Sequence, residues 1–363
     1  MKRRVALAYS AMFIGILLLI PVSYLFAKDK LNNNNTENRE LASFPVFSVS
    51  EFDKYPQGIT DYVDDNFPYK NQAVSADGYL GYKFLNSSSN DDVVLGKDGW
   101  LFYKGEDGGE YLQYKRIKHY SEEQLEIMAM NLQELKQRAE DNGARFVLLI
   151  VPNKETIYPE YMPDNVGVAD STSNTDEFVD FIIANTDTEV IWLKNDLEKA
   201  KANLKNDGSL LYQKYDTHWN ELGAYVGTKA LLDTLSIDSL DFTDISYSET
   251  EVPSVDLANM LGISNRLIEK DKCFRIDSIK DDFEAITEET EGLLEYRNTN
   301  KDPRKIMFLR DSFTLQMKRF IADNFNYCYL QHHSQFDISQ IDDVKPDIFV
   351  YEICERRLDV LLK

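Results

Sequence analysis

The sequence is poor in the residues that bind metals and nucleic acids. Its 363 residues include three cysteines and four histidines, and no CxxC pair or other metal-ligand spacing joins them. This pattern argues against a zinc or iron site and allows a single disulfide at most. Lysine and arginine number 40 against 62 aspartate and glutamate residues, a formal net charge of −22. Since nucleic-acid binding needs a basic surface, this charge argues against a nucleic-acid partner.

A long uncharged run occurs at the N-terminus. Three basic residues precede the run VALAYSAMFIGILLLIPVSYLFA at 5–27, which is about as long as a helix that crosses a bilayer. We interpret residues 1–4 as a cytoplasmic basic region and 5–27 as a single-pass transmembrane signal-anchor in the cell membrane, which places the remaining chain outside the cytoplasm. The alternative is a cleaved signal peptide and a secreted protein.

Beyond this run, the pattern predicts a tether and then one domain. Residues 28–40 are polar and rich in asparagine, as in a flexible tether. From about residue 121, helical and strand patterns alternate, beginning with a capping-box match before the helix SEEQLEIMAMNLQELKQRAEDNG and the apolar strand ARFVLLIVPN. We therefore expect an extracytoplasmic α/β domain over 41–363, with a mostly parallel sheet covered on both faces. Residues 240–300 are acidic and irregular, an expected insertion whose one helical pattern is EAITEETEGLLEY.

A first candidate for chemistry lies in the stretch LYQKYDTHWNELGAY, which contains Asp216 and His218. On a helix these two positions would diverge by about 200°, whereas in a loop they can lie on one side. A carboxylate bonded to one imidazole nitrogen leaves the other nitrogen free to act as a base. Trp219 would pack on the pair, and Asn220 would cap the helix that follows. A purely structural loop is the alternative.

A second candidate lies in IMFLRDSFTLQMKRF, where an apolar strand is followed by a helical pattern. Ser312 falls at the turn between them, close to the free N–H groups of a helix start, which favour a developing oxyanion. The alternative is that Ser312 or Asp311 only caps the helix. A serine, a histidine and an orienting aspartate are together the parts of nucleophilic acyl transfer. All three are predicted near C-terminal strand ends, where parallel sheets collect their sites.

Several stretches together resemble a known family. DTHWN, followed by GA and later by a strand ending in DSF, is similar to the SGNH-hydrolase-like polysaccharide O-acetyltransferases, in particular the alginate O-acetyltransferase or DHHW group. The stretches ENRELASFP, GKDGWLFY, VPNKETIYPEYMP, DLANMLG and PDIFVYEICERRL support this resemblance in order, from about residue 37 to the end. The resemblance implies a three-layer α/β/α sandwich.

The resemblance also implies roles for particular residues. Ser312 would be the nucleophile, His218 the base and Asp216 its orienting partner. The family's Gly-Asp-Ser reads Arg310-Asp311-Ser312 here, which places a cation beside the expected nucleophile. Candidate oxyanion or substrate contacts are Asn153, Lys154, Tyr158 and Arg310, with Asn153 as a simple turn residue the alternative. No metal and no cofactor is expected.

The function implied by the resemblance is acetyl transfer to hydroxyls of a cell-surface or secreted polysaccharide. Because acetyl-CoA is cytosolic, a membrane-bound O-acyltransferase is the expected partner that supplies acetyl groups. A polysaccharide acetyl esterase with the same three residues is one alternative. The other is a non-catalytic glycan-binding or scaffold component of a polysaccharide secretion complex.

Overall fold

The computed structural model describes residues 2–27, 41–105, 109–204, 208–250, 255–267, 272–290, 292–299 and 301–363. The expected tether at 28–40 lies outside the described residues. The strands are β1 Val93–Leu95, β2 Leu101–Tyr103, β3 Arg145–Val151, β4 Glu189–Trp192, β5 Tyr247–Thr250, β6 Cys273–Ile276, β7 Glu284–Ala285, β8 Leu293–Arg297, β9 Asp302–Arg310, β10 Phe325–His332 and β11 Ile348–Cys354. The helices are α1 Lys2–Ala27, α2 Tyr55–Asp65, α3 Lys70–Leu80, α4 Gly109–Tyr114, α5 Glu122–Asp141, α6 Lys154–Ile157, α7 Asn174–Asn185, α8 Lys194–Ala202, α9 Glu221–Thr234, α10 Asp256–Met260, α11 Thr314–Asn324 and α12 Ser339–Val344.

A seven-stranded mixed sheet organises the larger part of the chain. Its strand order is β4-β3-β11-β9-β10-β8-β7. The pairings from β4 to β10 are parallel, whereas β8 and β7 add to that edge in antiparallel orientation. The antiparallel strands come from the segment in which the sequence pattern suggested a helix. That helical prediction is wrong, because Leu294 and Tyr296 are buried at alternate positions and β8 pairs with β10.

Apolar side chains cover both faces of the sheet. Along β3, Val147, Leu149 and Val151 belong to a core that includes residues of α9 and α11. The alternating residues Phe146, Leu148 and Ile150 belong to a second core with residues of α5 and α7. Helices on both faces bury the apolar parts of the central strands, as expected for parallel strands that contain continuous apolar runs.

Two local predictions are confirmed. Ser121 and Gln124 form the capping box at the start of α5, with each side chain accepting the other's backbone N–H. The Asn220 side chain caps α9 by accepting the N–H of Leu222 at 2.9 Å. Short polar motifs of this kind can be predicted from the sequence because all their hydrogen-bond partners lie within a few residues.

By its contacts the chain divides into two units. The first consists of Met1–Ser89 and Ala258–Leu267, and the second of Asn90–Leu257 and Ile268–Lys363. Inside the first unit, Arg266 Nε donates to Ser75 Oγ at 2.8 Å, which ties the second segment to α3. Helix α1 contains one stretch, Tyr9–Ala27, that is long and apolar enough to cross a membrane, with a mean hydropathy of 2.2. A signal sequence would have the same character, so the choice between anchor and signal stays a prediction.

Candidate active site

Ser312 lies in the turn that joins β9 to α11, as the sequence predicts. The turn is fixed by Asp311, whose carboxylate accepts the backbone N–H groups of Phe313 at 2.8 Å and Cys354 at 2.9 Å. Burial alone would raise the pKa of Asp311, but these hydrogen bonds outweigh it and lower the pKa below its ordinary value. Asp311 therefore stays ionised and ties the start of α11 to the end of β11.

A tight loop at 211–220 presents the other two candidates. Its ends are joined by the N–H of Gln213, which donates to His218 O at 3.1 Å, and by Asn220 N–H, which donates to Leu211 O at 2.9 Å. Asp216 is fully buried, and its Oδ1 accepts the backbone N–H of His218 at 2.9 Å. Hydrogen bonds within the loop thus position the side chains of Asp216 and His218 independently of Ser312.

Asp216, His218 and Ser312 form a continuous chain of hydrogen bonds. His218 Nδ1 lies 2.7 Å from Asp216 Oδ1, and His218 Nε2 lies 2.8 Å from Ser312 Oγ. An ionised carboxylate only accepts hydrogen bonds, so Nδ1 carries the proton of a neutral ring and Nε2 accepts the serine hydroxyl. In this tautomer the imidazole can take the proton of Ser312.

A second carboxylate, Asp256 in α10, also holds this loop. Its backbone N–H donates to Asp216 Oδ2 at 2.9 Å. Its carboxylate accepts the N–H of Thr217 at 2.8 Å and the hydroxyl of Thr217 at 2.5 Å. Burial, and then the charge of Asp216, raise the pKa of Asp256. Asp256 therefore fixes both the second oxygen of Asp216 and the residue between Asp216 and His218.

Trp219 links the histidine loop to the serine turn. Its indole N–H donates to the backbone oxygen of Phe313 at 2.9 Å, and the ring of Phe313 lies 4.9 Å from that of His218. Helix α9 approaches the indole closely, because a Cβ at Gly227 would lie 2.8 Å from the Trp219 ring. The tryptophan that follows His218 is thus part of the frame that sets the distance between His218 and Ser312.

Oxygen and nitrogen atoms of Asp216, His218 and Asp256 lie within 4.8 Å of one another, a separation that a metal ion could bridge. The hydrogen bonds already described use these same atoms, since Asp216 accepts from His218 Nδ1 and Asp256 accepts from Thr217. In this structure these atoms of Asp216 and Asp256 form the hydrogen bonds that hold the imidazole and its loop.

The four other candidates have internal partners. Lys154 is 2% exposed. Its Nζ donates to the backbone oxygens of Gln213, Lys214 and Asp216 at 3.1, 3.3 and 2.6 Å. Arg310 donates to Leu330 O and Asp311 O, Tyr158 accepts the N–H of Leu211, and Asn153 Nδ2 donates to Gln113 Oε1.

A cavity of about 490 Å³ opens on Ser312, and among the described residues none of these four candidates lines it. A direct role in substrate contact stays a prediction for each of them. Lys154 instead holds the loop at 211–220 from behind.

Residue-level reasoning from the sequence missed three residues at this site: Asp256, Glu110 and Arg356. Glu110 and Arg356 line the cavity with Ser312. Asp256 and Arg356 stand inside two of the stretches that carry the family resemblance, DLANMLG and PDIFVYEICERRL. Those stretches were the available signal, although nothing in them indicates which residue faces the site.

Comparison with known proteins places this chain in a family. A family model described as the SGNH hydrolase-like domain of the acetyltransferase AlgX matches residues 93–340. The chain belongs to this AlgX family. The resemblance predicted from the sequence is thereby confirmed, and the matched range includes the histidine loop and the serine turn.

Individual members of the AlgX family and related folds are distant in sequence. A probable alginate O-acetylase AlgJ of Pseudomonas syringae pv. tomato is 27% identical over 236 residues, which cover 64% of this chain and 52% of the relative. The chain spans about half the length of the curated relatives it matches. The solved structure of Bacillus cereus PatB1 has a TM-score of 0.54 at 15% identity, covering 76% of this chain and 99% of that one. A DHHW family protein from Eubacterium siraeum has a TM-score of 0.51 at 17% identity, covering 76% and 95%. At these identities the two structures show a common fold.

Proposed function

We propose that this protein is an extracytoplasmic O-acetyltransferase that moves acetyl groups onto hydroxyls of a cell-surface or secreted polysaccharide. The hydrogen-bond chain from Asp216 through His218 to Ser312 is the observation that carries the proposal. Membership of the AlgX family and relatives named as probable alginate O-acetylases support the acetyl group and the polysaccharide acceptor.

In the proposed mechanism, Ser312 is acetylated and then deacetylated. His218 Nε2 takes the proton of the Ser312 hydroxyl while Oγ attacks the acetyl carbonyl carbon of the donor. The protonated imidazole, stabilised by Asp216, then gives this proton to the leaving group. In the second half, His218 takes the proton of a sugar hydroxyl, whose oxygen attacks the acetyl carbon and releases Ser312. Each half passes through a tetrahedral oxyanion.

The N–H of Ser312, ahead of the first turn of α11, is the proposed first donor to this oxyanion, since helix starts favour negative charge. Asn153 stays the predicted second donor. The side chain of Asn153 is buried, and its Oδ1 has no hydrogen-bond partner among the described residues. An oxyanion needs a donor, which Asn153 can supply only from Nδ2; this nitrogen has two N–H groups, and its hydrogen bond among the described residues is the 3.3 Å contact to Gln113 Oε1.

The proposal includes a membrane location. The apolar stretch Tyr9–Ala27 would anchor the chain with residues 41–363 outside the cytoplasm. A membrane-bound O-acyltransferase would supply acetyl groups across the bilayer, because the donor acetyl-CoA is cytosolic.

The test is hydrolysis of para-nitrophenyl acetate by the full chain in detergent. We expect Ser312→Ala and His218→Ala each to lower kcat/KM by about 100- to 10,000-fold, because each removes a group that takes part in bond making. His119→Ala and Ser171→Ala are matched controls at exposed positions and should leave the rate unchanged. Full activity in Ser312→Ala would contradict the proposal.

Adding oligosaccharide separates transferase from esterase. Acetyl groups recovered on the sugar indicate transfer, whereas release as acetate alone indicates an esterase, because the two reactions differ in whether water reaches the acetylated serine. A folded wild-type chain with no activity towards ester or sugar would favour the scaffold interpretation.

A further inference from the structure

The cavity on Ser312 is large enough for part of a carbohydrate chain. Its volume of about 490 Å³ lies in the range of small-molecule sites. Its wall includes Asp311 and Ser312 of the serine turn together with Glu110 and Arg356.

Glu110 offers this cavity a hydrogen-bond acceptor that the protein leaves unused. It lies on α4 and is 5% exposed. Its Oε1 lies 3.5 Å from Arg356 Nη1, while Oε2 is buried with no hydrogen-bond partner in the described part of the chain. Buried carboxylate oxygens are almost always hydrogen-bonded, so one in the wall of a cavity can accept a donor that enters the cavity, such as a hydroxyl group.

Arg356 provides the matching donors. Its guanidinium carbon lies 5.2 Å from the ring centre of Phe313, the residue after Ser312. A guanidinium has five N–H donors in a fixed plane, and the one side-chain hydrogen bond of Arg356 among the described residues is the long contact to Glu110. Both residues line the same cavity, so the remaining donors of Arg356 and the Glu110 oxygen without a partner among the described residues lie together in its wall, next to the serine turn.

The charges of the cavity wall indicate which sugar it fits. The described lining holds three cationic side chains, Lys118, Arg356 and Arg357, and three acidic ones, Glu110, Asp311 and Asp359. Lys118 is paired with Asp359 and Arg356 with Glu110. A sugar carboxylate on Arg356 would lie against the carboxyl group of Glu110. A hydroxyl pair meets no such repulsion, because each hydroxyl both donates to Glu110 and accepts from Arg356.

We infer that Glu110 and Arg356 form the acceptor subsite for an uncharged sugar, binding two neighbouring hydroxyls while a further hydroxyl faces Ser312. This inference rests on the proposed function for the identity of the reaction, although sugar binding can be measured without it. The site would thus select neutral hexose or N-acetylhexosamine units over uronates.

The pKa of Glu110 is compatible with this assignment. Burial is the main cause that raises it to about 7, partly opposed by the charge of Arg356. Near neutral pH the carboxyl is present in both forms. A sugar hydroxyl can bond to either form, since it can donate to a carboxylate or accept from a carboxylic acid.

The experiment is calorimetric titration of the full chain in detergent, without acetyl donor. The ligands are four neutral tetrasaccharides, with glucose, mannose, galactose or N-acetylglucosamine units, and one mannuronate tetrasaccharide. We expect at least one neutral ligand to bind more than about tenfold more tightly than the uronate. Glu110→Gln and Arg356→Lys should each lower the affinity for that neutral ligand by about tenfold or more. Glu110→Gln should also reduce the difference in affinity between the neutral ligand and the uronate.

Glu189→Gln is the matched control, because Glu189 pairs with Arg145 where β3 and β4 begin, at the end of the sheet opposite the site. It should bind like wild type. The inference is overturned if the uronate binds most tightly, if no neutral tetrasaccharide binds, or if Glu110→Gln binds like wild type. It is also overturned if Glu110→Gln keeps its sugar affinity and loses ester hydrolysis, which would assign the pair to the acetyl group. A chain that binds neutral sugar but turns over no ester would contradict the proposed function alone.

Discussion

Replacing Lys154 by methionine removes the ammonium group behind the histidine loop and keeps most of the side-chain length. Three backbone oxygens, including that of Asp216 at 2.6 Å, lose a charged donor in a site where the side chain is 2% exposed. Hydrogen bonds to a charged group contribute about 1.5–3 kcal/mol each. The variant also avoids the cost of burying an ammonium group, which is several kcal/mol and offsets part of this loss. We therefore expect the free energy of unfolding to fall by about 2–4 kcal/mol.

Urea unfolding of both chains in detergent measures this difference, with an unchanged m-value required for the comparison. Lys229→Met is the control, because half-buried Lys229 on α9 pairs only with exposed carboxylates among the described residues, Asp233 at 2.9 Å and Asp241 at 3.3 Å. Its loss should cost about 0–1 kcal/mol.

Ester hydrolysis tests whether Lys154 positions the site. In Lys154→Met, under conditions where the variant is fully folded, kcat should fall about tenfold or more while KM changes little, because Asp216 and His218 are displaced from Ser312. The positioning role of Lys154 is refuted if the free energy of unfolding of Lys154→Met is within about 1 kcal/mol of the wild-type value and the variant hydrolyses ester at the wild-type rate.

Two further predictions concern the frame of the site and its pH dependence. Trp219→Phe keeps an aromatic ring but loses the N–H bond to Phe313 O, so we expect about 1 kcal/mol less stability and a measurable loss of kcat for para-nitrophenyl acetate; unchanged kcat would contradict the role of the indole. For Glu110, burial raises the pKa from 4.5 to about 7, so folding favours its protonated form. The stability it contributes is complete below pH 4.5 and is lost as the pH rises to 7, by up to about 3 kcal/mol. Between pH 4.5 and 7 the melting temperature should fall less in Glu110→Gln than in wild type. An equal dependence of melting temperature on pH in the two proteins would contradict the raised pKa of Glu110.

The features that could be predicted from the sequence are those whose partners are close in the chain. Ser121 and Gln124 are three residues apart, and Asn220 caps the helix that starts one residue later. The position of Ser312 followed from an apolar strand running directly into a helical pattern. In each case the pattern contains all the atoms that decide the outcome.

Features decided by distant partners could not be predicted in this way. The hydrogen bonds of Lys154 could not be predicted from its place after a strand, because its partners are carbonyls 59 to 62 residues away; its contact with substrate stays a prediction. Strand β8 pairs not only with β7, its neighbour in sequence, but also with β10, which begins 28 residues after β8 ends. The approach of His218 to Ser312 spans 94 residues and depends on the Trp219 contact that joins their loops. Residue types suggested the chemistry of the site, whereas its geometry comes from tertiary packing.

A buried acidic cluster behind the cavity wall bears on the choice of acceptor. Glu110, Glu155 and Glu355 are all buried, and burial raises the pKa of each. Arg356 and Lys154 both lower the pKa of Glu110 through their charges, so three ionised carboxyls would still exceed the nearby positive charge in a poorly solvated region. Protonation removes that charge while keeping hydrogen-bonding groups, as when Glu355 accepts the N–H of Asn153 at 2.8 Å. Glu110, with a pKa of about 7, stays partly ionised near neutral pH and keeps a carboxylate beside Arg356 that opposes an anionic sugar unit, so we expect acceptor choice to depend on matching hydroxyls. The unused oxygen of Glu110 is therefore the group on which acceptor choice should depend.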